Sequence, residues 1–377
     1  MEKSLLFVWE KIGAIHVDRC QAVAEHFKNE RSIVGIEWSG RSARHSLDST
    51  PIVGLRKVTL FPSGYPKSCQ RLQLAWKLVR SCLSLGRAEI FLSHFENPAV
   101  WAAALILRLF RRRVFVMSSS KFDDVERFRF RELAKVLALA PYNGALTSGA
   151  RAKSYLRFLG MPESKIEFGY NTVSIERIRR LSGSTPAPAG VAFHARHFSI
   201  VARFVPKKNL SLALQAYRQY SDLVRRPRFL HIVGSGPLES QLRHEVAELG
   251  LTEFVTFRGA LQIEQVCEMF AYTLALILPS VEEQFGDVVI EAQATGLPVM
   301  ISDVCGAWDQ MVQSGVNGFV FEPDNSIGLA YFMSLLSEDE ELWNRMCSAA
   351  QEKARAGDVG QFVRGVQLLI GSSSQSN

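Results

Sequence analysis

No C-x-x-C pair occurs in this 377-residue chain. Its six cysteines, Cys20, Cys69, Cys82, Cys267, Cys305 and Cys347, are scattered. That spacing excludes a zinc ribbon and a disulfide framework, and it fits buried thiols of a reducing compartment. A membrane-spanning run is missing as well. The most apolar stretch, Ala99–Phe110, is broken by Arg108 and falls short of the roughly 20 residues that cross a bilayer. Leu5–Trp9 is too short for the apolar region of a secretory signal and leads into charged, helix-like sequence. Together these absences predict a cytoplasmic protein.

What is present is the composition of a folded globular chain, 47% hydrophobic and 21% charged, which excludes wholesale disorder. At roughly 150 residues per domain the length predicts two domains. The net charge of +7 hides a division. Through Arg180 there are 30 basic and 16 acidic residues, against 14 and 21 after it. A basic half implies an anionic partner, whether nucleic acid, phosphorylated ligand or anionic membrane.

Short apolar runs alternate with helical patterns throughout, the signature of parallel sheets covered on both faces. The first series of strands is expected at Leu5–Trp9, Ile33–Trp38, Val58–Phe61, Glu89–Ser93, Val114–Met117 and Ala145–Thr147. The second is expected at Phe198–Ala202, Phe229–Val233, Phe254–Phe257, Leu274–Leu278, Val299–Ile301 and Phe319–Phe321. Between them the Pro-, Gly- and Ser-rich stretch 182–190 is read as the interdomain linker. The expected organisation is an N-terminal domain over 1–181, a C-terminal domain over 191–357, and a last helix and tail over 358–377. Two doubly wound α/β domains of this kind are expected to face a central cleft at the carboxyl ends of their strands. The Ser-rich tail from Gly371 is expected to be disordered.

Three motifs carry chemistry. Gly234-Ser235-Gly236-Pro237 follows a strand and opens a helix, where glycines allow close backbone approach and a helix N-terminus favours phosphate. Arg203 stands at a strand's carboxyl end and Lys208 at the start of the next helix. Two fixed cations there can stabilise a departing diphosphate without a metal. Most specific is Glu283-Gln284-Phe285-Gly286-Asp287, followed by Glu291 one turn into a helix. It offers two carboxylates to hydroxyls, with the backbone N–H groups of Phe285, Gly286 and Asp287 between them.

Arg203 with Lys208, Glu283 and Glu291 at E-x7-E spacing, Ala294-Thr295-Gly296-Leu297-Pro298 and Gly315-Val316-Asn317-Gly318 resemble the GT-B retaining glycosyltransferases of family 4. The resemblance is dense over 199–323 and looser over 142–171. It implies a GT-B architecture of two Rossmann-like domains. It further implies transfer of a hexose-type sugar, with retention, from a nucleotide-diphosphate donor to a glycan or lipid-linked acceptor in bacterial surface polysaccharide or glycolipid synthesis. Glu291 would hold the donor ribose, Glu283 the sugar hydroxyls, and Arg203 and Lys208 the diphosphate. Gly259 would lie beside the base and Gly13 beside the phosphates. No cofactor and no metal are implied.

In the N-terminal half the family's glycine pair is reduced to Gly13, and its usual histidine after the Val114–Met117 strand is replaced by Ser118-Ser119-Ser120-Lys121. His16, Arg19, His94, Lys121, Asp123 and Asp124 are the candidates for acceptor binding. Arg108, Arg111, Arg112 and Arg113 end an apolar helix and admit two readings, a contact with anionic membrane or a solvated basic face. A sugar-nucleotide 2-epimerase of the same layout is an alternative, against which the Glu283/Glu291 pair argues. A nucleic-acid-binding protein is another. No helix-turn-helix, zinc finger or RNP-type strand supports it, so nucleic acid is not an expected partner.

Overall fold

The computed structural model describes residues 3–28, 30–40, 55–64, 71–123 and 128–371. It divides into two compact units, Met1–Thr172 with Val359–Asn377, and Val173–Asp358.

The first unit is built on seven parallel strands in the order β3-β2-β1-β4-β5-β6-β7. They are β1 (Lys3–Trp9), β2 (Arg31–Glu37), β3 (Leu55–Thr59), β4 (Ala88–Leu92), β5 (Arg113–Ser118), β6 (Gly144–Thr147) and β7 (Ile166–Phe168). The central strands are apolar on both faces because both are covered. Leu6, Val8, Ile90 and Leu92 face the helices Arg71–Ser84 and Pro98–Leu109. Leu5, Phe7 and Phe91 face Ala14–His26 and the last helix, Val359–Gly371. β7 was not foreseen, since three residues are too few for a hydrophobic period to register.

The second unit carries six parallel strands in the order β10-β9-β8-β11-β12-β13. These are β8 (His197–Val201), β9 (Leu230–Val233), β10 (Val255–Gly259), β11 (Thr273–Leu278), β12 (Val299–Ser302) and β13 (Gly318–Phe321). Strand order reverses at β8/β11, the switch point at which such sheets bind ligands.

The boundary differs from the one read in the sequence. It falls at Thr172/Val173, and 182–190 belongs to the second unit as fixed structure. Ala187 donates from its N–H to the Thr295 carbonyl at 2.9 Å and accepts from Gln351 at 2.6 Å. A Cβ on Gly296 would come within 2.2 Å of the Ala187 carbonyl oxygen. Proline and small residues here mark irregular backbone, which is not the same as a free linker. The Ser-rich residues 372–377 lie outside the described residues.

Val359–Gly371 is held in the first unit by Phe362, whose ring lies 5.3 Å from that of Phe7. Arg113 closes its end, donating to the carbonyls of Leu369 at 2.8 Å and Ile370 at 3.0 Å while pairing with Glu89 at 2.6 Å. A cation at a helix C-terminus meets the negative end of the helix dipole. Arg113 is therefore spent inside the fold and leaves the set of membrane-facing charges; Arg112 is half-buried, and Arg108 and Arg111 stay exposed. Arg113→Ala should lower stability by about 1.5–3 kcal/mol, the range for hydrogen bonds to charged groups. The urea midpoint measures it, and an unchanged midpoint would exclude the clamp.

Three histidines are held neutral. Burial, then the charges of Arg19 and His94, lowers His16 to about 3. Burial, then His231, Arg258 and Arg196, lowers His197 to about 3, and burial with Arg258 lowers His231 to about 4. Below their ordinary pKa of about 6.5 the unfolded chain takes up protons that the folded one refuses, so stability falls as pH falls. Urea midpoints should therefore drop steadily from pH 7 to pH 5. The slope should be shallower in a His16→Gln/His197→Gln variant; equal slopes would show that these rings titrate alike in both states.

Candidate functional site

At the carboxyl end of β8 the chain passes through Ala202 and Arg203 to Phe204, whose ring is fully buried against Phe257. This anchor leaves the Arg203 side chain exposed, with no hydrogen-bond or ionic partner among the described residues. The two glycines after β9 shape the same loop. A Cβ on Gly234 would stand 1.8 Å from the Ala202 oxygen, and one on Gly236 would stand 2.4 Å from that of Phe204. The Phe204 N–H donates to the Ser235 carbonyl at 3.0 Å. These glycines, expected to approach a ligand, are required first by the backbone that presents Arg203. The helix begins at Glu239, two residues after Pro237.

Lys208 ends a short 3-10 turn, Pro206–Lys208. The next residue, Asn209, has φ +52°, a left-handed conformation uncommon for a residue with a Cβ. Its side chain donates to the Pro323 carbonyl at 2.7 Å and holds it there. Lys208 forms an ion pair with Glu283, 75 residues further along, and both side chains are largely buried. Beside them Lys207 pairs with Glu282 at 2.8 Å, more exposed, and the Val281 N–H donates to the Lys207 carbonyl at 2.9 Å. Two loops are thereby zipped together.

The far side of the Glu283 loop is fixed by a second strap. The Gly306 N–H donates to the Glu283 carbonyl and the Ala307 N–H to that of Phe285, both at 3.0 Å. A Cβ on Gly306 would lie 1.8 Å from the Gln284 oxygen. Gly286 has φ +103°. The Phe285 side chain is core, so only its backbone is available to a ligand. Asp287 stands at the N-terminal boundary of the helix Val288–Ala294, and Glu291 is buried at 8% exposure. Burial and then the Glu291 charge push the neighbouring Cys267 thiol up to about 12, leaving it unreactive. Gly259 ends β10 at φ +69°, with open space where a Cβ would stand. The Gly306 strap had no signal in the sequence reading, because its function is close packing.

In the first unit the acceptor candidates separate. The Gly13 N–H donates to His16 Nδ1 at 3.0 Å, and the His16 ring lies 4.7 Å from that of Trp9. His94 follows β4 at φ +58°, 3.5 Å from the Glu96 carboxylate and 5.4 Å from the Trp38 ring. Burial alone would lower its pKa, but the Glu96 hydrogen bond and charge, with that of Glu10, raise it overall. Arg19 is not a free cation: it is buried, donates to the Thr172 carbonyl at 3.1 Å and lies over the Tyr170 ring. Lys121 is likewise buried, 3.4 Å from Asp123, which also pairs with Arg151. Both positions are internal ties, unlike the open ligands expected of them. Asp124 lies outside the described residues. Among the described residues no helix is long and apolar enough to cross a membrane.

Comparison with known proteins gives these loops a context. The family model described as "Glycosyl transferases group 1" matches residues 195–353. D-inositol 3-phosphate glycosyltransferase of Streptomyces bingchenggensis is 28% identical over 213 residues, 54% of this chain and 47% of that protein. Alpha-D-kanosaminyltransferase of Streptomyces kanamyceticus is 27% identical over 175 residues, 45% of each. The chain thus spans about half the length of these curated relatives. Among solved structures, Anabaena HepE with UDP and glucose superposes at TM-score 0.74 and 18% identity, covering 98% of this chain and 99% of that one. A Rickettsia africae glycosyltransferase superposes at 0.75 and 15% identity over the full length of both. The fold is that of GT-B glycosyltransferases, and its second unit matches the group 1 glycosyl transferases over 195–353.

Proposed function

We propose that the chain is a retaining glycosyltransferase that moves a hexose-type sugar from a nucleotide-diphosphate donor, and that the second unit holds the donor. The observation that carries this is the junction of Lys208 with Glu283 beside an unpartnered Arg203, at the carboxyl ends of β8 and β11. Arg203 and Lys208 take the diphosphate, Glu283 the sugar hydroxyls and Glu291 the ribose. Backbone at Phe285–Asp287 and Gly259 completes the donor contacts within this unit. As the bond from the anomeric carbon to the phosphate oxygen breaks, the acceptor oxygen bonds to the same face of that carbon and its proton passes to the leaving phosphate. The cations meet the charge shed in that step, the part a divalent ion plays in other transferases.

His94 and His16 are the residues we assign to the acceptor. The first is a strained, half-exposed imidazole; the second keeps its Nε2 for donation because Nδ1 is occupied. A lipid-linked acceptor is favoured by one helix. Arg129–Leu139 buries only Leu139, while Phe130, Leu133 and Leu137 stand 88%, 60% and 62% exposed on one stripe flanked by Arg129 and Arg131. An apolar stripe turned outward between arginines fits an anionic membrane interface. This stripe with its flanking Arg129 and Arg131 replaces the four-arginine cluster as the docking face, on the cytoplasmic side of the membrane.

Two unit charges about 4 Å apart interact by roughly 4 kcal/mol at an effective dielectric near 20. Losing Arg203 or Lys208 should therefore cost on the order of 10²- to 10³-fold in turnover. Glu291→Ala should weaken calorimetric affinity for the cognate nucleotide, found by a thermal-shift screen of UDP-, GDP- and ADP-sugars. The product anomer, read by NMR, should match the donor's; wild-type turnover in both cation variants, or inversion, would refute the reading. Phe130→Ser/Leu133→Ser should abolish sedimentation with phosphatidylglycerol vesicles, and unchanged sedimentation would return this face to solvent.

A further inference from the structure

The second unit also contains a cavity of about 530 Å³ that none of the residues assigned above lines. Its strand wall is His197 of β8, His231 of β9 and Arg258 of β10. Its other wall is Gln265 and Glu268 of the helix Ile263–Phe270, with Tyr272 beyond. The volume is within the roughly 300–1,000 Å³ of small-molecule sites.

The polar groups of this wall are only partly engaged by the fold. The imidazoles of His197 and His231 lie against each other, ring centres 3.8 Å apart. His197 is 8% exposed, and its Nε2 is buried with no hydrogen-bond partner. Arg258 Nη2 approaches His231 Nδ1 at 3.5 Å, which leaves that nitrogen as acceptor and the proton on Nε2. Gln265 spends its oxygen on the Gln262 N–H at 3.0 Å and keeps its amide donors. Among the described residues neither Arg258 nor Glu268 has an ion-pair partner. A buried polar atom with no partner is costly, and a hydroxyl placed in the cavity beside His197 Nε2 would meet it.

The charges select the ligand. An anion attracted by Arg258 would also meet Glu268, and a cation would meet the reverse. A neutral molecule rich in hydroxyls answers every group, because each hydroxyl both donates and accepts. The exposed Tyr272 ring adds an apolar face for the C–H side of a sugar ring. We propose that this cavity is a second saccharide-binding site, apart from Arg203, Lys208 and Glu283, that holds a neutral oligosaccharide. It uses no step of glycosyl transfer and stands or falls separately from that activity.

Saturation-transfer NMR on the full chain with maltotriose and chitotriose, with and without UDP, tests it. The expected result is millimolar binding of at least one trisaccharide, unaffected by UDP. Binding should weaken at least tenfold in Arg258→Ala and Tyr272→Ala and persist in Lys208→Ala. Glu268→Gln supplies a milder variant should Arg258→Ala not keep the wild-type melting temperature. Absence of any trisaccharide signal, or a signal that follows Lys208 instead of Arg258, would overturn the proposal. So would inorganic phosphate shifting the His231 ring resonances while the sugars leave them unmoved.

Discussion

In a wholly parallel sheet every strand delivers the chain to the same edge, and the rest of this structure follows from that constraint. The loops after β8, β9, β10 and β11 all leave from one side of the second sheet. The strand order reverses at β8/β11, so the loops of these two neighbours diverge. Lys208 and Glu283 close that divergence. Their ion pair, largely out of water, joins segments 75 residues apart in a place where hydrogen bonds of the sheet have ended.

The pair has a consequence for binding. A lysine already desolvated and held by a carboxylate has lost most of its hydration before any ligand arrives, so an incoming anion need not strip it again. The backbone around it is equally committed. Asn209 is held left-handed by Pro323, Gly306 admits the Glu283 loop only because it lacks a Cβ, and Gly234 does the same for the loop of Arg203. Positions set by close packing cannot relax when charge moves, which is what preorganised electrostatic stabilisation requires.

The strands were legible in the sequence because both faces of each sheet are buried, and continuous apolar runs with turn residues between them survive in a single chain. The Arg203, Lys208, Glu283 and Glu291 positions stand out because their residue types and spacing are specific, and the fold brings two of them, Lys208 and Glu283, together. The partners were not. Nothing local in the sequence says that Lys208 meets Glu283, that Gly306 straps the loop, or that the Pro-rich 182–190 is pinned by Thr295 and Gln351. Each is a contact between residues 75 or more positions apart or a matter of one missing methyl group, and pattern reading detects neither. β7 escaped for a simpler reason, being three residues long.

The surplus of positive charge in the first 180 residues illustrates the same limit from the side of electrostatics. A count assigns every arginine to the surface, whereas the fold withdraws several of them. Arg19 goes to the Thr172 carbonyl and the Tyr170 ring, and Lys121 is buried beside Asp123. Arg113 goes to Glu89 and to the end of the last helix. Arg19 and Arg113 serve as ties between elements distant in sequence, where hydrogen bonds are stronger for the partial exclusion of water. Many others stay exposed, Arg108, Arg111, Arg129 and Arg131 among them. Arg129 and Arg131 differ from the rest in sharing a helix with exposed Phe130, Leu133 and Leu137, so charge and apolar surface lie side by side there.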